Sequence, residues 1–305
     1  MKRLILVLNP RSSNYERVNR EVVEKVRKLK GVSVGRFEIA PKNVDANAKR
    51  LAKFLMDGDL VISAGGDGTT SVAVNGILGS EAKNVRLGVL GYGNYNDAAR
   101  SFGELKLDEI LRTKPQKVWP LELSIDGKHW RYGMCYFTLG MFAESCAVYD
   151  EPKTRKALQK KGRRGMLFNV KTLAKWWFRE KKQKFLPEFM LGNSSGEFVP
   201  SNGASDYMAV NGASVAKMMK GGKWFKDEQY FLSSFGKLTK FGKLVKFMMR
   251  SIMKRVPGIE SDYDRLDFVE PANVMVQAEG EYTKFENVRR IEVGKSKKAL
   301  LVVMK

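Results

Sequence analysis

Residues 61–78 read VISAGGDGTTSVAVNGIL: an apolar run, three glycines and an aspartate at positions 65–68, then a segment of helical periodicity. Glycine loses more conformational freedom on ordering than any other residue, so such a cluster marks a bend with a purpose. A strand, a glycine bend and a helix start belong in a sheet with helices packed on it, and the flanking sequence repeats that alternation. RLILVL (3–8) predicts a buried strand, and YERVNREVVEKVRKLK (15–30) a helix capped by Ser13 or Asn14. VSVGRFEIA (32–40), LVIS (60–63) and VRLGVLG (85–91) predict further strands, with helices at 44–56 and 69–78. The implied fold is an open, mostly parallel α/β sheet that binds ligands beyond the carboxyl ends of its strands.

The pattern changes after TKPQK (113–117). PLELSIDGKHWRYGMCYFTLG (120–140) holds two strand-like runs around an Asp126–Gly127 turn, and short strands are expected within 185–191, 206–212 and 273–280. A chain of 305 residues exceeds what one core usually holds. We expect an α/β domain over 1–116, joined by the final strand within 293–305, and a second domain over 117–292. The second domain reads as antiparallel and β-rich, with helices.

Fifty-five basic against 33 acidic residues leave a net charge of +22, a field that attracts phosphate in some form. No nucleic-acid-binding motif accompanies it, so nucleic acid is not expected as a partner. The two cysteines, Cys135 and Cys146, lack metal-ligand spacing and fit a reducing cytosol. The only histidine, His129, excludes a multi-histidine zinc site and reads as a solvated residue beside a hairpin tip. Aspartates at 262, 264 and 267 lack the glycine and closing glutamate of a calcium loop and read as a solvated loop. The opening MKRLILVLNP reads as a strand rather than a signal peptide, and MCYFTLGMFA (134–143) is about half the length of a membrane span.

The glycine loop itself has two readings. As a phosphate loop, its glycines permit positive φ and let backbone N–H groups approach an anion, while the following helix N-terminus adds positive charge. Thr69 or Thr70 would cap that helix, and Asp67 would take a cation or a proton. The plainer reading is a left-handed turn with Asp67 as the N-cap. Other phosphate motifs are absent: there is no G-x-x-x-x-G-K-[ST], and GYGNYN carries Asn96 where a dinucleotide fingerprint needs its third glycine.

LNPRSS (8–13), AGGDGTT (64–70) and GYGNYNDAAR (91–100), each following a predicted strand, together resemble the bacterial diacylglycerol kinase and sphingosine kinase family. LGMFAE, the stretch from AVNGASVAK to DEQYF, and EGEY continue the resemblance toward the C-terminus. It implies a phosphofructokinase-like α/β domain holding ATP and Mg²⁺, a β-rich domain holding a lipid, and γ-phosphoryl transfer to a lipid hydroxyl such as that of diacylglycerol. It also implies site residues. Asn9, Pro10, Ser12, Gly65, Gly66, Asp67, Gly68, Thr69, Gly93, Asn94, Asn96 and Asp97 would bind nucleotide. Asp67, Glu281 and Glu122 would be catalytic, and Asp67, Asp227 and Glu228 would hold the metal.

The chain departs from the family pattern at Gly91, Asn94, Ala98 and Ser13, and Phe142 stands where sphingosine kinases often carry aspartate. A soluble-substrate kinase of the NAD kinase type and a decayed membrane-associated binding protein are the alternatives. Of two basic amphipathic stretches, 235–256 suits an anionic bilayer or a packed core equally, while 166–185 suits a packed core better. The expected setting is the cytoplasm, at the inner face of the membrane, with a lipid substrate, an anionic membrane surface as partner, and possible homodimerisation.

Overall fold

A computed structural model describes residues 3–305 except 42, 151–153, 155–170, 173, 179–186, 194, 202–205, 218, 223–230, 236–240, 254–258 and 261–262. In chain order the strands are β1 (Arg3–Leu8), β2 (Ser33–Glu38), β3 (Leu60–Gly65), β4 (Arg86–Gly91), β5 (Pro115–Val118), β6 (Leu121–Ile125), β7 (Lys128–Gly133), β8 (Tyr136–Gly140) and β9 (Phe189–Asn193). They continue with β10 (Phe198–Pro200), β11 (Asp206–Val210), β12 (Ser214–Val215), β13 (Met219–Lys220), β14 (Phe231–Phe235), β15 (Ile259–Glu260), β16 (Tyr263–Ala278), β17 (Glu281–Lys295) and β18 (Leu300–Val303).

The first sheet has the order β2-β1-β3-β4-β18-β5, parallel except for β5. Both faces are covered, as an apolar parallel sheet requires: Ile5 and Val7 enter one core, and Leu4, Leu6 and Leu8 the other. Its helices are α1 (Tyr15–Val18) and α2 (Glu24–Arg27), joined by a π-helical turn at Asn19–Val23, then α3 (Val44–Phe54), α4 (Asp67–Leu78), α5 (Asp97–Ser101) and α6 (Leu107–Arg112). Asn43 caps α3 through its side chain, accepting the Ala46 N–H at 2.9 Å. Asn14 precedes α1 without capping it; its amide donates instead to the Tyr92 carbonyl at 2.7 Å, tying that turn to the end of β4.

Among the described residues a ten-stranded antiparallel sheet follows, β15-β14-β11-β8-β16-β17-β6-β7, with β9 on β16 and β10 on β9. The expected fold class, mostly parallel α/β followed by an antiparallel β-rich region with helices, is the one observed. Asp126 and Gly127 both take positive φ (48° and 73°), the conformation a tight hairpin needs. Asp264 and Asp267 are not in a loop. They belong to β16, where Asp267 pairs with Arg290 at 2.6 Å and with Arg265 at 2.8 Å.

The β6–β7 hairpin is clamped to the first sheet's helices. The Asn75 side chain on α4 accepts the Tyr132 N–H at 2.8 Å and donates to its carbonyl at 2.9 Å. The buried Arg131 guanidinium meets Asp45 in the first turn of α3 at 2.9 Å. Two more helices, α7 (Met141–Asp150) and α8 (Phe241–Met253), accompany the second sheet, and Trp176, Trp177 and Leu244 join Met208 and Val210 of β11 in a core continuous with Ile5 and Val7. The 166–185 stretch thus places both its tryptophans in the interior. Among the described residues no helix is long and apolar enough to cross a membrane.

Candidate active site

The strand order reverses between β1 and β3, so the crevice beyond their carboxyl ends is where this sheet leaves room for a ligand. Three loops meet there: Asn9–Ser12 after β1, Gly66 after β3, and Tyr92–Asn96 after β4. Asn9 holds its own loop, its side chain accepting the Arg11 N–H at 3.1 Å and its carbonyl the Ser12 N–H at 3.0 Å. Pro10 and Asn94 are exposed, and Ser12 is half-buried with Oγ near the Asn14 N–H. Asn96 sits at φ 57° and clamps the third loop, accepting from Gly93 N–H at 2.7 Å and donating to the Gly93 carbonyl at 3.0 Å.

None of the loop glycines takes positive φ, which corrects the reason expected for them; Gly66 has φ −93° and is the N-cap of α4. Close approach is the reason instead. A Cβ on Gly65 would overlap Thr69 Oγ1, one on Gly66 would stand 3.0 Å from the Cα of Gly93, and one on Gly93 would overlap the Cα of Gly66. The second and third loops therefore touch backbone to backbone. Neither threonine caps α4. Thr69 and Thr70 lie inside the helix, buried, with Thr70 Oγ1 3.0 Å from Ser63 Oγ. Gly93→Ala should destabilise the fold by about 2 kcal/mol through forced separation of the two loops; an unchanged melting temperature in that variant would contradict the packing described here.

Beneath these loops lie three acids. Asp67 is the first residue of α4, and its Oδ1 accepts the Ala98 N–H at 3.2 Å. Burial, and after it the charge of Asp97, pushes its carboxyl up to about 7. Asp97 is buried; its Oδ1 accepts the Ser214 hydroxyl at 2.5 Å and the Lys217 N–H at 2.8 Å, and its Oδ2 the Tyr136 hydroxyl at 3.4 Å.

The third acid is Glu279, two residues before the Glu281 that the family resemblance points to. Glu279 and Gly280 form the turn between β16 and β17 with φ 51° and 90°, which carries Glu279 inward to 3% exposure. Its Oε1 accepts the N–H groups of Met134 and Cys135, at 2.6 and 2.5 Å, and its Oε2 is buried without a partner. Burial dominates in raising it to about 8, with Asp67 and Asp97 adding to the effect. The available signal was a lone acid ending the apolar run VMVQA immediately before a glycine.

Glu281 is exposed beside the loop: a Cβ on Gly68 would come within 2.7 Å of its Oε1. Glu122 points elsewhere, its Oε1 3.0 Å from Nδ1 of the exposed His129 across the hairpin. Asp227 and Glu228 lie outside the described residues. Among the described residues no group of three or more His, Cys, Asp or Glu side chains is disposed to hold a metal ion. A single divalent cation nonetheless suits Asp67, a hard oxygen donor in the first turn of α4.

Residues 3–118 match the model of the diacylglycerol kinase catalytic domain. No curated protein matches the chain in sequence. Among solved structures, a diacylglycerol kinase from Bacillus anthracis str. Sterne is similar with a TM-score of 0.68 at 15% identity, over 100% of this chain and 97% of that one. Two further structures from that organism, provisionally assigned as diacylglycerol kinases, give TM-scores of 0.67 and 0.66 at 15% and 14% identity, with the same coverage. At these identities the likeness is one of fold.

Proposed function

We propose, from the match of residues 3–118 to the diacylglycerol kinase catalytic domain, that the chain is a lipid kinase that transfers the γ-phosphoryl group of ATP to a lipid hydroxyl such as that of diacylglycerol. The observation that carries this is the convergence of Asp67, Asp97 and Glu279 beneath two loops in backbone contact, at the carboxyl ends of β3 and β4. Phosphoryl transfer is mostly positioning and charge neutralisation, and needs no covalent nucleophile.

In this reading the Asn9, Gly66 and Gly93–Asn94 loops seat the triphosphate. Asp67 holds Mg²⁺, which when bound would offset the phosphate charge, with Asp227 and Glu228 as further ligands. Glu279 takes the proton of the lipid hydroxyl at Oε2, the oxygen its backbone donors leave open. A carboxyl raised to about 8 is a competent base near neutral pH. Glu281, at the mouth beside Gly68, borders the phosphate path.

The test is ATP consumption in mixed micelles of diacylglycerol, ceramide, sphingosine or undecaprenol, with and without Mg²⁺. Magnesium-dependent turnover with diacylglycerol is expected; turnover of a soluble alcohol with no response to any lipid would overturn the reading.

The enzyme is placed at the inner face of a membrane by the same reading, and α8 supports it. Leu244 anchors that helix in the core, while Val245, Met249 and Met253, four residues apart, are 41, 47 and 62% exposed with Lys243, Lys246 and Arg250 exposed beside them. An apolar stripe edged by cations is the pattern of an interfacial helix. Co-sedimentation with phosphatidylglycerol vesicles at low salt is expected, falling at least about threefold in Val245→Ser/Met249→Ser. Equal binding by wild type and variant would remove α8 from the membrane surface.

A further inference from the structure

The β12–β13 hairpin turns through Ala216 and Lys217, both with positive φ (49° and 64°). Neither is a residue that favours this region, and two such conformations in succession persist only where the surroundings enforce them. The surroundings here are the site. The Lys217 N–H donates to Asp97 Oδ1 at 2.8 Å, and Ser214 at the start of the same hairpin bonds the same oxygen at 2.5 Å.

That geometry throws the Lys217 side chain back over the loops. Its Nζ donates to the Asn94 carbonyl at 3.3 Å, one residue beyond the Gly93 that rests on Gly66. The ammonium is exposed, and its other N–H groups are open to a ligand. It therefore stands beside the Gly66–Gly93 contact, close to Asp67 and Asp97, acids that by themselves would repel a triphosphate. A lysine ammonium is an effective point charge for phosphate oxygens.

We propose that Lys217 is a phosphate-binding residue of this kinase, its ammonium contacting the terminal phosphates of the bound nucleoside triphosphate, and that the left-handed turn at Ala216–Lys217 is maintained to aim it. This rests on the reading of the loops as a nucleotide site. Asp97 is the positioning residue, because it fixes the turn through the Lys217 N–H and the Ser214 hydroxyl.

Calorimetry with a non-hydrolysable ATP analogue and with AMP, together with melting temperatures, tests it. Lys217→Met should weaken the ATP analogue about tenfold and leave AMP unchanged, with Lys217→Arg recovering to within about threefold of wild type. Lys217→Gly should weaken the analogue equally yet melt at or above the wild-type temperature, because glycine takes positive φ without strain while keeping the N–H to Asp97. Unchanged analogue affinity in the Met and Gly variants, or a Gly variant that loses stability along with affinity, overturns the proposal while the nucleotide site stands. Absence of binding by the wild type overturns both.

Discussion

Asp67→Asn should lower the rate of phosphoryl transfer by about a thousandfold or more, while the folded protein stays intact or becomes more stable. Asn keeps the oxygen that accepts the Ala98 N–H, and removes the charge that burial and Asp97 disfavour. Stability and activity therefore move in opposite directions at one carboxylate, the expected cost of holding an acid ready for a cation. Turnover in micelles and a thermal melt on the same preparation check both halves. Wild-type turnover in this variant would exclude Asp67 from the chemistry.

The second large effect is on the pH dependence of stability in metal-free protein. Asp67 and Glu279 have folded values of about 7 and about 8, above their ordinary values of 3.8 and 4.5. The folded state thus retains protons that the unfolded chain releases, so ΔG of unfolding falls as pH rises. The stabilising contribution is complete below about pH 4 and is lost as pH climbs through about 7 and about 8. With EDTA present, the melting temperature should decline from pH 5 to pH 9, opposite in sign to salt-bridged carboxylates. Glu279→Gln keeps an acceptor for the Met134 and Cys135 N–H groups and removes the charge. Above pH 8 it should gain roughly 2 kcal/mol, and lose most of the slope between pH 7 and 9. A slope identical to wild type would show that Glu279 does not carry the buried proton.

The first four strands and their helices were legible because period alternates with period there, and RLILVL at 3–8 coincides with β1. The Gly65–Gly68 cluster announced its importance but not its cause. Gly66 and Gly93 lie 27 positions apart, and which atom crowds a glycine is a tertiary fact that local sequence does not hold. The E-G-E segment shows the same limit. Its two glutamates look equivalent until the turn at 279–280 aims the first inward and leaves the second exposed. The long β16–β17 pair was largely missed, since register shifts near Ala272 break the alternation and Asp267 with Arg290 makes one face look like loop. Lys217 carried no signal at all, because nothing in AVNGASVAKMM foretells a left-handed lysine.

The last strand changes what the first sheet is as a folding unit. β18 is inserted between β4 and β5, hydrogen-bonded to both, so the sheet that carries the site is closed by residues some 180 positions downstream of β5. Until Leu300–Val303 are synthesised, β4 lacks the partner on its outer edge and β5 lacks the strand it pairs with in this sheet. The nascent first half is then a template for aberrant pairing, and the β-rich half must be synthesised in full before the site can assemble.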